Sequence, residues 1–189
     1  MTSLSAVSGP VASYDGVARA LHWLVAVLAV IVVALAWAME RAPRNTPSRD
    51  QLMLFHQSVG LTILGIMVLR IGWRWQHPAP PLPSSLVRWE RALSRITHAT
   101  LYILFIAMPV AGYLNTAGAG HAVNFFGLTS IPPLIQENGR LSQAAIAFHL
   151  VGQYFVYLFV ALHVAGALLH GVVKRDGVLE RMLPMRHAG

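Results

Sequence analysis

Six of the nine histidines in this sequence lie in stretches that are otherwise apolar. They are His22, His56, His98, His149, His163 and His170. Ionisable side chains inside a membrane are costly, and they usually mark a functional site. Imidazole rings that face each other from two helices can hold a haem iron from both sides. The placement of these residues therefore predicts haem ligation between helices.

Fourteen residues separate His149 from His163 in the last apolar stretch. In an α-helix this spacing leaves the two side chains within about 40° of the same face and about 21 Å apart along the axis. One histidine then lies near each membrane surface. The spacing predicts two haems, one in each leaflet, that share a ligating helix.

Depth in the membrane indicates the partners of these two histidines. His56 lies near the start of the second apolar stretch, and no other intramembrane histidine is expected at the depth of His149. We therefore pair His56 with His149. At the opposite surface His22 can pair with His163. Two other histidines lie at comparable or shallower depth there and remain alternatives: His98 and His170.

Glycines lie close in sequence to two of these histidines. Gly60 follows His56 by four residues, and Gly152 follows His149 by three. Without a Cβ atom, each glycine leaves room for a flat macrocycle to approach the backbone beside a ligand. Small residues also let bare helices pack closely in membranes, so a packing role is the alternative.

The composition is that of a membrane protein. Of the 189 residues, 56% are hydrophobic and only 11% are charged, whereas soluble domains carry about 25% charged residues. Four stretches without Asp, Glu, Lys or Arg are each long enough to cross a hydrocarbon core of about 30 Å. They are residues 20–38, 51–69, 96–136 and 141–173. We predict an all-α membrane protein, a single domain over residues 1–189 in which four transmembrane helices form a bundle.

The four predicted helices span about residues 17–39, 51–75, 94–116 and 142–174. An amphipathic segment from Ser84 to Arg95 leads into the third helix, which continues past Pro109. A proline is tolerated in a membrane helix where neighbouring groups satisfy the freed carbonyl. Residues 117–141 are too rich in glycine and proline to form another span, and we expect them on the periplasmic face.

Basic residues are distributed unevenly between the two faces of the predicted bundle. With both termini in the cytoplasm, ten basic residues lie on the cytoplasmic side and four on the periplasmic side. This imbalance satisfies the positive-inside rule. The net charge of +7 therefore reflects orientation in the membrane and not nucleic-acid binding. We predict a multi-pass protein of the bacterial inner membrane with both termini in the cytoplasm.

The absence of cysteine limits the possible cofactors. Disulfides, iron–sulfur clusters, thiolate zinc sites and covalently attached haem are excluded, so any haem is of the non-covalent b type. A histidine-lined metal or proton transporter is the alternative. Such a transporter usually needs a carboxylate inside the bundle, whereas every Asp and Glu here falls in a loop, a tail or a helix end.

Short motifs follow one another along nearly the whole chain. They are ALHW at 20–23, HQSVG at 56–60, VLR at 68–70, WR at 73–74, His98 followed by LY at 101–102, PVAGY at 109–113, His149, ALH at 161–163, ALLH at 167–170 and DGVLERM at 176–182. In order and spacing they resemble the bacterial cytochrome b561 family, the two-haem, four-helix cytochromes of the inner membrane.

The resemblance implies a ligand set and an activity. It implies that His22 and His163 bind a haem on the cytoplasmic side, and that His56 and His149 bind a haem on the periplasmic side. Similar proteins pass electrons between a periplasmic donor and ubiquinone, and one branch oxidises superoxide. An iron with two histidine ligands has no open position, so outer-sphere transfer of single electrons is the expected chemistry.

Residues near the cytoplasmic haem are candidates for further roles. His98 and His170 are left over there and are predicted to contact a quinone head group, with propionate binding or helix capping as the alternative. Arg70 is predicted to pair with a haem propionate through a charge-assisted hydrogen bond. Alternatively, the side chain of Arg70 extends so that its guanidinium reaches the membrane interface.

The donor at the periplasmic side stays open at this point. Basic residues outnumber acidic ones at that mouth, which favours superoxide or an acidic redox protein. The apolar loop 118–135 is an alternative docking surface for a periplasmic redox enzyme. Three hypotheses follow: a self-sufficient superoxide-to-ubiquinone oxidoreductase, an electron-transfer subunit for a separate redox enzyme or soluble cytochrome, and a histidine-rich membrane protein without redox activity. The oligomeric state is left open.

Overall fold

Four long helices dominate the computed structural model, which describes residues 13–82 and 86–183. They are α1 (Gly16–Arg41), α2 (Pro47–Gln76), α3 (Arg88–Gly118) and α4 (Gly139–Leu168). All four are long and apolar enough to cross a membrane. The predicted all-α, four-span architecture is therefore confirmed.

Side-chain caps explain why the helices extend beyond the predicted bounds. Asp15 accepts a hydrogen bond from the backbone N–H of Ala18 at 2.9 Å at the start of α1, and this bond holds the pKa of Asp15 below its usual value. Thr46 caps α2, and Asn138 caps α4. Such caps satisfy N–H groups that the first turn leaves without partners. The first turns of α2 and α4 therefore include charged residues that an apolar pattern leaves out.

The third helix begins at Arg88, six residues before its predicted start at residue 94. Part of the amphipathic segment 84–95 is thus helical, although Ser84 lies outside the described residues. Pro109 lies inside the helix, as predicted. The helix ends at Gly118, just beyond the predicted end at residue 116.

The helices pack in chain order, α1 on α2, α2 on α3 and α3 on α4. No Cα atom of α4 lies within 8 Å of α1 or α2. The main buried cluster joins α1, α2 and α3 and consists of Val25, Val59, Ile63, Ile66 and Met67, with Tyr102, Phe105 and Ile106 packed against it. Space therefore remains between α4 and the α1–α2 pair, and side chains bridge it.

A short β-hairpin follows α3, in the segment expected to lie outside the membrane. Its strands are β1 (Val123–Phe125) and β2 (Thr129–Ile131), with Val123 opposite Ile131. The apolar residues between α3 and α4 had not indicated strands. We call the end of the bundle that carries this hairpin the hairpin end.

One serine attaches the hairpin to α2. Ser58 is fully buried; its hydroxyl donates to the carbonyl of Leu54 at 2.7 Å and accepts from the N–H of Phe126 at 2.8 Å. A buried N–H without a partner costs free energy, so this contact holds the hairpin turn against the helix.

Replacing Ser58 with alanine is expected to destabilise the protein by about 1–3 kcal/mol, because the N–H of Phe126 loses its partner. Equilibrium unfolding of the detergent-solubilised protein, followed by circular dichroism, measures the change. Ser48→Ala is the control: its exposed hydroxyl lies 3.1 Å from that of Thr46, and loss of an exposed contact is expected to cost less than loss of the buried one. Equal stabilities for the two variants would contradict the proposed anchor.

The helical span that begins with α4 ends at Lys174, as predicted, but it is not a single α-helix. A π-helical turn, Leu169–Lys174, follows α4, and Arg175 then adopts the left-handed conformation. The chain folds back over the start of α1, where Trp23 Nε1 donates to the carbonyl of Met182 at 2.8 Å. Tyr14 N donates to the carbonyl of Arg181 at 3.2 Å. Both ends of the described chain thus meet at one end of the bundle, which we call the terminal end.

Candidate haem sites

Two pairs of histidines face each other across the space beside α4. The ring centres of His56 and His149 are 6.0 Å apart at the hairpin end, and those of His22 and His163 are 5.9 Å apart at the terminal end. Two imidazoles that bind one metal from opposite sides have their centres about 6 Å apart, because each metal–nitrogen bond is about 2 Å long and each nitrogen lies about 1 Å from the ring centre. Both pairs therefore have the separation that a haem iron between two histidines requires.

Backbone carbonyls orient both rings at the hairpin end. His56 Nδ1 lies 3.1 Å from the carbonyl of Val32 on α1, and His149 Nδ1 lies 2.9 Å from that of Met108 on α3. A carbonyl oxygen only accepts, so both Nδ1 atoms donate and both Nε2 atoms keep a lone pair. This tautomer and this outer contact are those of histidines that bind metals through Nε2.

A cavity of about 190 Å³ lies between these rings and is lined mainly by apolar side chains. Gly60 lines it, and a Cβ atom there would meet nothing within 4 Å, as expected for room beside a ligand. Gly152 leaves no such room beside a ligand, because a Cβ atom there would lie 2.5 Å from the sulfur of Met108. That glycine serves close packing of α3 and α4, the alternative role. Gly112, which the sequence had not indicated, lies against the ring of His149.

Three histidine rings lie close together at the terminal end. The ring centre of His98 is 5.0 Å from that of His163, closer than the 5.9 Å between His22 and His163. Nδ1 of His98 donates to the carbonyl of Ser94 at 2.6 Å, so its Nε2 also keeps a lone pair. The longer separation suits opposed ligands better and favours His22 over His98, yet both rings lie beside His163. The choice of ligand stays a prediction.

Arg70 joins this group from α2. Its guanidinium lies 3.1 Å from Nδ1 of His22 and 5.0 Å from the ring centre of Tyr102. A guanidinium only donates, whereas a histidine that binds iron through Nε2 keeps a proton on Nδ1. Ligation by His22 therefore requires the guanidinium to turn away from Nδ1. A haem propionate is an anion that it can then bind, which is the role predicted for Arg70.

His170 lies apart from the other terminal-end histidines, in the π-helical turn. It is buried, and its Nδ1 lies 2.6 Å from a carboxylate oxygen of Asp176. Beside it, Lys174 pairs with Glu90 of α3. The carboxylate partner of His170 had not been predicted, although the six-residue spacing to Asp176 across a turn was a usable signal.

Arginines cap the end of α1 at the hairpin end. Arg49 donates to the carbonyls of Ala42 at 3.2 Å and of Met39, and Arg41 donates to that of Trp37 at 2.9 Å. These bonds satisfy carbonyls that the helix end leaves without partners. They also fix positive charge beside the mouth of the cavity, which Glu40 lines on the same side.

No group of three or more His, Cys, Asp or Glu residues that could hold a bare metal ion occurs in the part of the chain that the structure describes. Paired histidines beside an apolar cavity suit a macrocycle that supplies the other four ligands itself. The residues present therefore fit haem.

These features define a four-helix transmembrane protein with paired histidines that fit haem. Residues 13–185 match the family model described as Prokaryotic cytochrome b561, and the chain belongs to that family. It is thus a multi-pass protein of the bacterial inner membrane that serves electron transfer, and the family implies haem b.

Known relatives cover most of the chain. It is 32% identical to the "Probable superoxide oxidase CybB" of Yersinia pestis, over 88% of this chain and 93% of the relative. It is 29% identical to "Cytochrome b561 homolog 2" of Escherichia coli, over 90% of each protein. "Cytochrome b561 homolog 1" of the same organism is 24% identical, over 88% of this chain and 94% of the relative.

Proposed function

We propose that the protein carries single electrons across the inner membrane through two b haems, one held by His56 and His149 and the other by His22 and His163. The two ring separations of 6.0 and 5.9 Å carry this proposal. The distribution of basic residues supports a cytoplasmic terminal end and a periplasmic hairpin end. Electrons then enter at the hairpin end and leave at the terminal end.

The bound haems supply a one-electron couple, and the chain holds them in place. Two histidines would hold each haem, and a haem held in this way would supply outer-sphere transfer of single electrons and no bond chemistry. The carbonyls of Val32 and Met108 fix the rings at the hairpin end. Fixed ligands change little between oxidation states, which favours outer-sphere transfer.

Ubiquinone is the proposed acceptor at the terminal end. Reduction of one quinone to quinol takes two electrons and two protons, so the site needs groups that hold protons near the cytoplasmic surface. His98 keeps Nε2 as a possible contact, and His170 is held by Asp176 at 2.6 Å. Both are the proposed quinone contacts, His98 beside His163 and His170 further away in the π-helical turn.

Superoxide is the proposed donor at the hairpin end. Two superoxide ions give two electrons, and with one quinone and two protons they yield two molecules of oxygen and one quinol. Basic residues near the mouth attract an anion; they are Arg41, Arg44, Arg49 and Arg140. The relative named a probable superoxide oxidase supports this donor.

Purified protein in detergent, supplied with an enzymatic source of superoxide and a short-chain ubiquinone, is expected to form quinol without a partner protein. Superoxide dismutase should abolish quinol formation, because it removes the donor. Quinol formation is measured by ultraviolet absorbance, with protein denatured by heat as the control. A haem-loaded preparation that forms no quinol would contradict the proposed donor or acceptor.

A second candidate function is that of an electron-transfer subunit for a periplasmic redox protein. Two leucines near the hairpin favour it, because Leu128 is 85% exposed and Leu134 is 77% exposed. This function needs the two leucines to belong to one contiguous apolar patch, because such patches mark docking surfaces whereas single exposed apolar side chains do not. This function predicts that superoxide leaves the haems oxidised, and that they are reduced only when the partner protein is added.

A further inference from the structure

The two histidine pairs lie in different electrostatic surroundings. Building on the proposed two-haem function, we infer that the positive charge of Arg70 makes the terminal-end haem the stronger oxidant of the two. Electrons then move downhill from the hairpin end to the terminal end, and the chain itself sets the direction of flow.

In the part of the chain that the structure describes, the hydrogen-bond partners of both ligand rings at the hairpin end are acceptors. His56 and His149 donate to the carbonyls of Val32 and Met108. Among the described residues that line the cavity, Glu40 is the one with a formally charged side chain, and that charge is negative; the arginines at the mouth, Arg41 and Arg49, lie outside this lining. Carbonyl dipoles and a carboxylate both favour the oxidised iron, because it carries one more positive charge than the reduced iron.

At the terminal end the ligand pair meets a cation. The guanidinium of Arg70 lies 3.1 Å from His22, and within the described residues no carboxylate forms an ion pair with it. Arg70 also contacts Tyr102, whose ring centre lies 5.0 Å from the guanidinium and which carries no formal charge. The positive charge of Arg70 is therefore not neutralised by a neighbouring acid.

A cation beside an iron favours the reduced form, because reduction adds one negative charge. The effect is strong in a bundle, since a low dielectric screens charges poorly. The effect on the potential keeps this sign when the guanidinium turns from His22 to a propionate, because neutralising a propionate likewise favours reduction. One electron passing between the sites oxidises the hairpin-end iron and reduces the terminal-end iron, and this step moves no proton.

Redox titration of the haem-loaded protein, followed by absorption spectroscopy, tests this inference. The His56→Ala variant retains only the terminal-end haem and so assigns its potential. Arg70→Gln is expected to lower the reduction equilibrium constant of that haem at least tenfold, which is 59 mV for a one-electron couple. The hairpin-end haem should change less than threefold. Arg70→Lys keeps the charge and is the matched control, expected within threefold of the native protein.

Three results would overturn the inference. In the first, Arg70→Gln lowers the potential of neither haem. In the second, it lowers the potentials of both haems equally. The third is a native protein whose hairpin-end haem has the higher potential, and this order is measurable even if Arg70→Gln fails to bind haem. A protein that binds no haem at all contradicts the proposed function instead.

Discussion

Replacing His56 with alanine is expected to lower the haem content from two haems per chain to one. His56 and His149 are the two rings that face each other at the hairpin end, 6.0 Å apart, and a b haem has no covalent bond to hold it when one ligand is lost. The pyridine haemochrome assay on the purified variant, with protein measured separately, gives the ratio.

His77→Ala is the matched control for this variant. His77 is a histidine at a helix end, but its ring stacks on Trp73 with centres 4.0 Å apart, at the surface. We expect two haems per chain in that protein. If His56→Ala also kept two haems, His56 would not be a ligand, and the hairpin-end site would need another histidine.

Replacing His163 with alanine is expected to remove the terminal-end haem. Both candidate partners, His22 and His98, lie beside this residue, so no other described histidine on α4 can take its place. The spectrum of the variant should be that of the hairpin-end haem alone. A protein that keeps two haems would move the ligand role to His98 or His170.

His98→Ala separates the two roles open to that residue. With His22 as the ligand, this variant keeps two haems per chain and loses part of its quinone reduction. Loss of one haem, together with two haems retained in His22→Ala, would make His98 the ligand. Haem content and quinol formation measured on the same preparations distinguish these outcomes.

Much of the architecture was predictable because the membrane imposes simple rules. Charge-free stretches of sufficient length indicated all four spans, since a backbone in lipid must satisfy its hydrogen bonds within a helix. The predicted depth in the membrane was enough to pair His56 with His149. Each lies about ten residues from the end of its helix that is nearer the hairpin. Their role as ligands stays a prediction.

The terminal end was less predictable. Four histidines lie at comparable or shallower depth there, and depth does not tell which of them face each other. The structure brings His22, His98 and His163 together and holds His170 apart through Asp176. That separation depends on the π-helical turn, which changes the direction of side chains and leaves no signal in an apolar pattern.

Contacts between distant segments were also beyond sequence reasoning. Ser58 in an apolar stretch gives no sign that it accepts a hydrogen bond from Phe126, which lies 68 residues further along the chain. The segment after α4 contacts Trp23 only because backbone turns fold it back over α1, and the apolar pattern does not indicate these turns. Such contacts form only once the helices have packed, so local patterns do not encode them.

The most direct test of the two-haem account is the haem-to-protein ratio of the native protein, measured with its oxidised and dithionite-reduced absorption spectra. We predict two b haems per chain with low-spin spectra in both states, because two histidines would ligate each iron. A colourless protein, or one with a single haem, would contradict the assignment of two opposed histidine pairs.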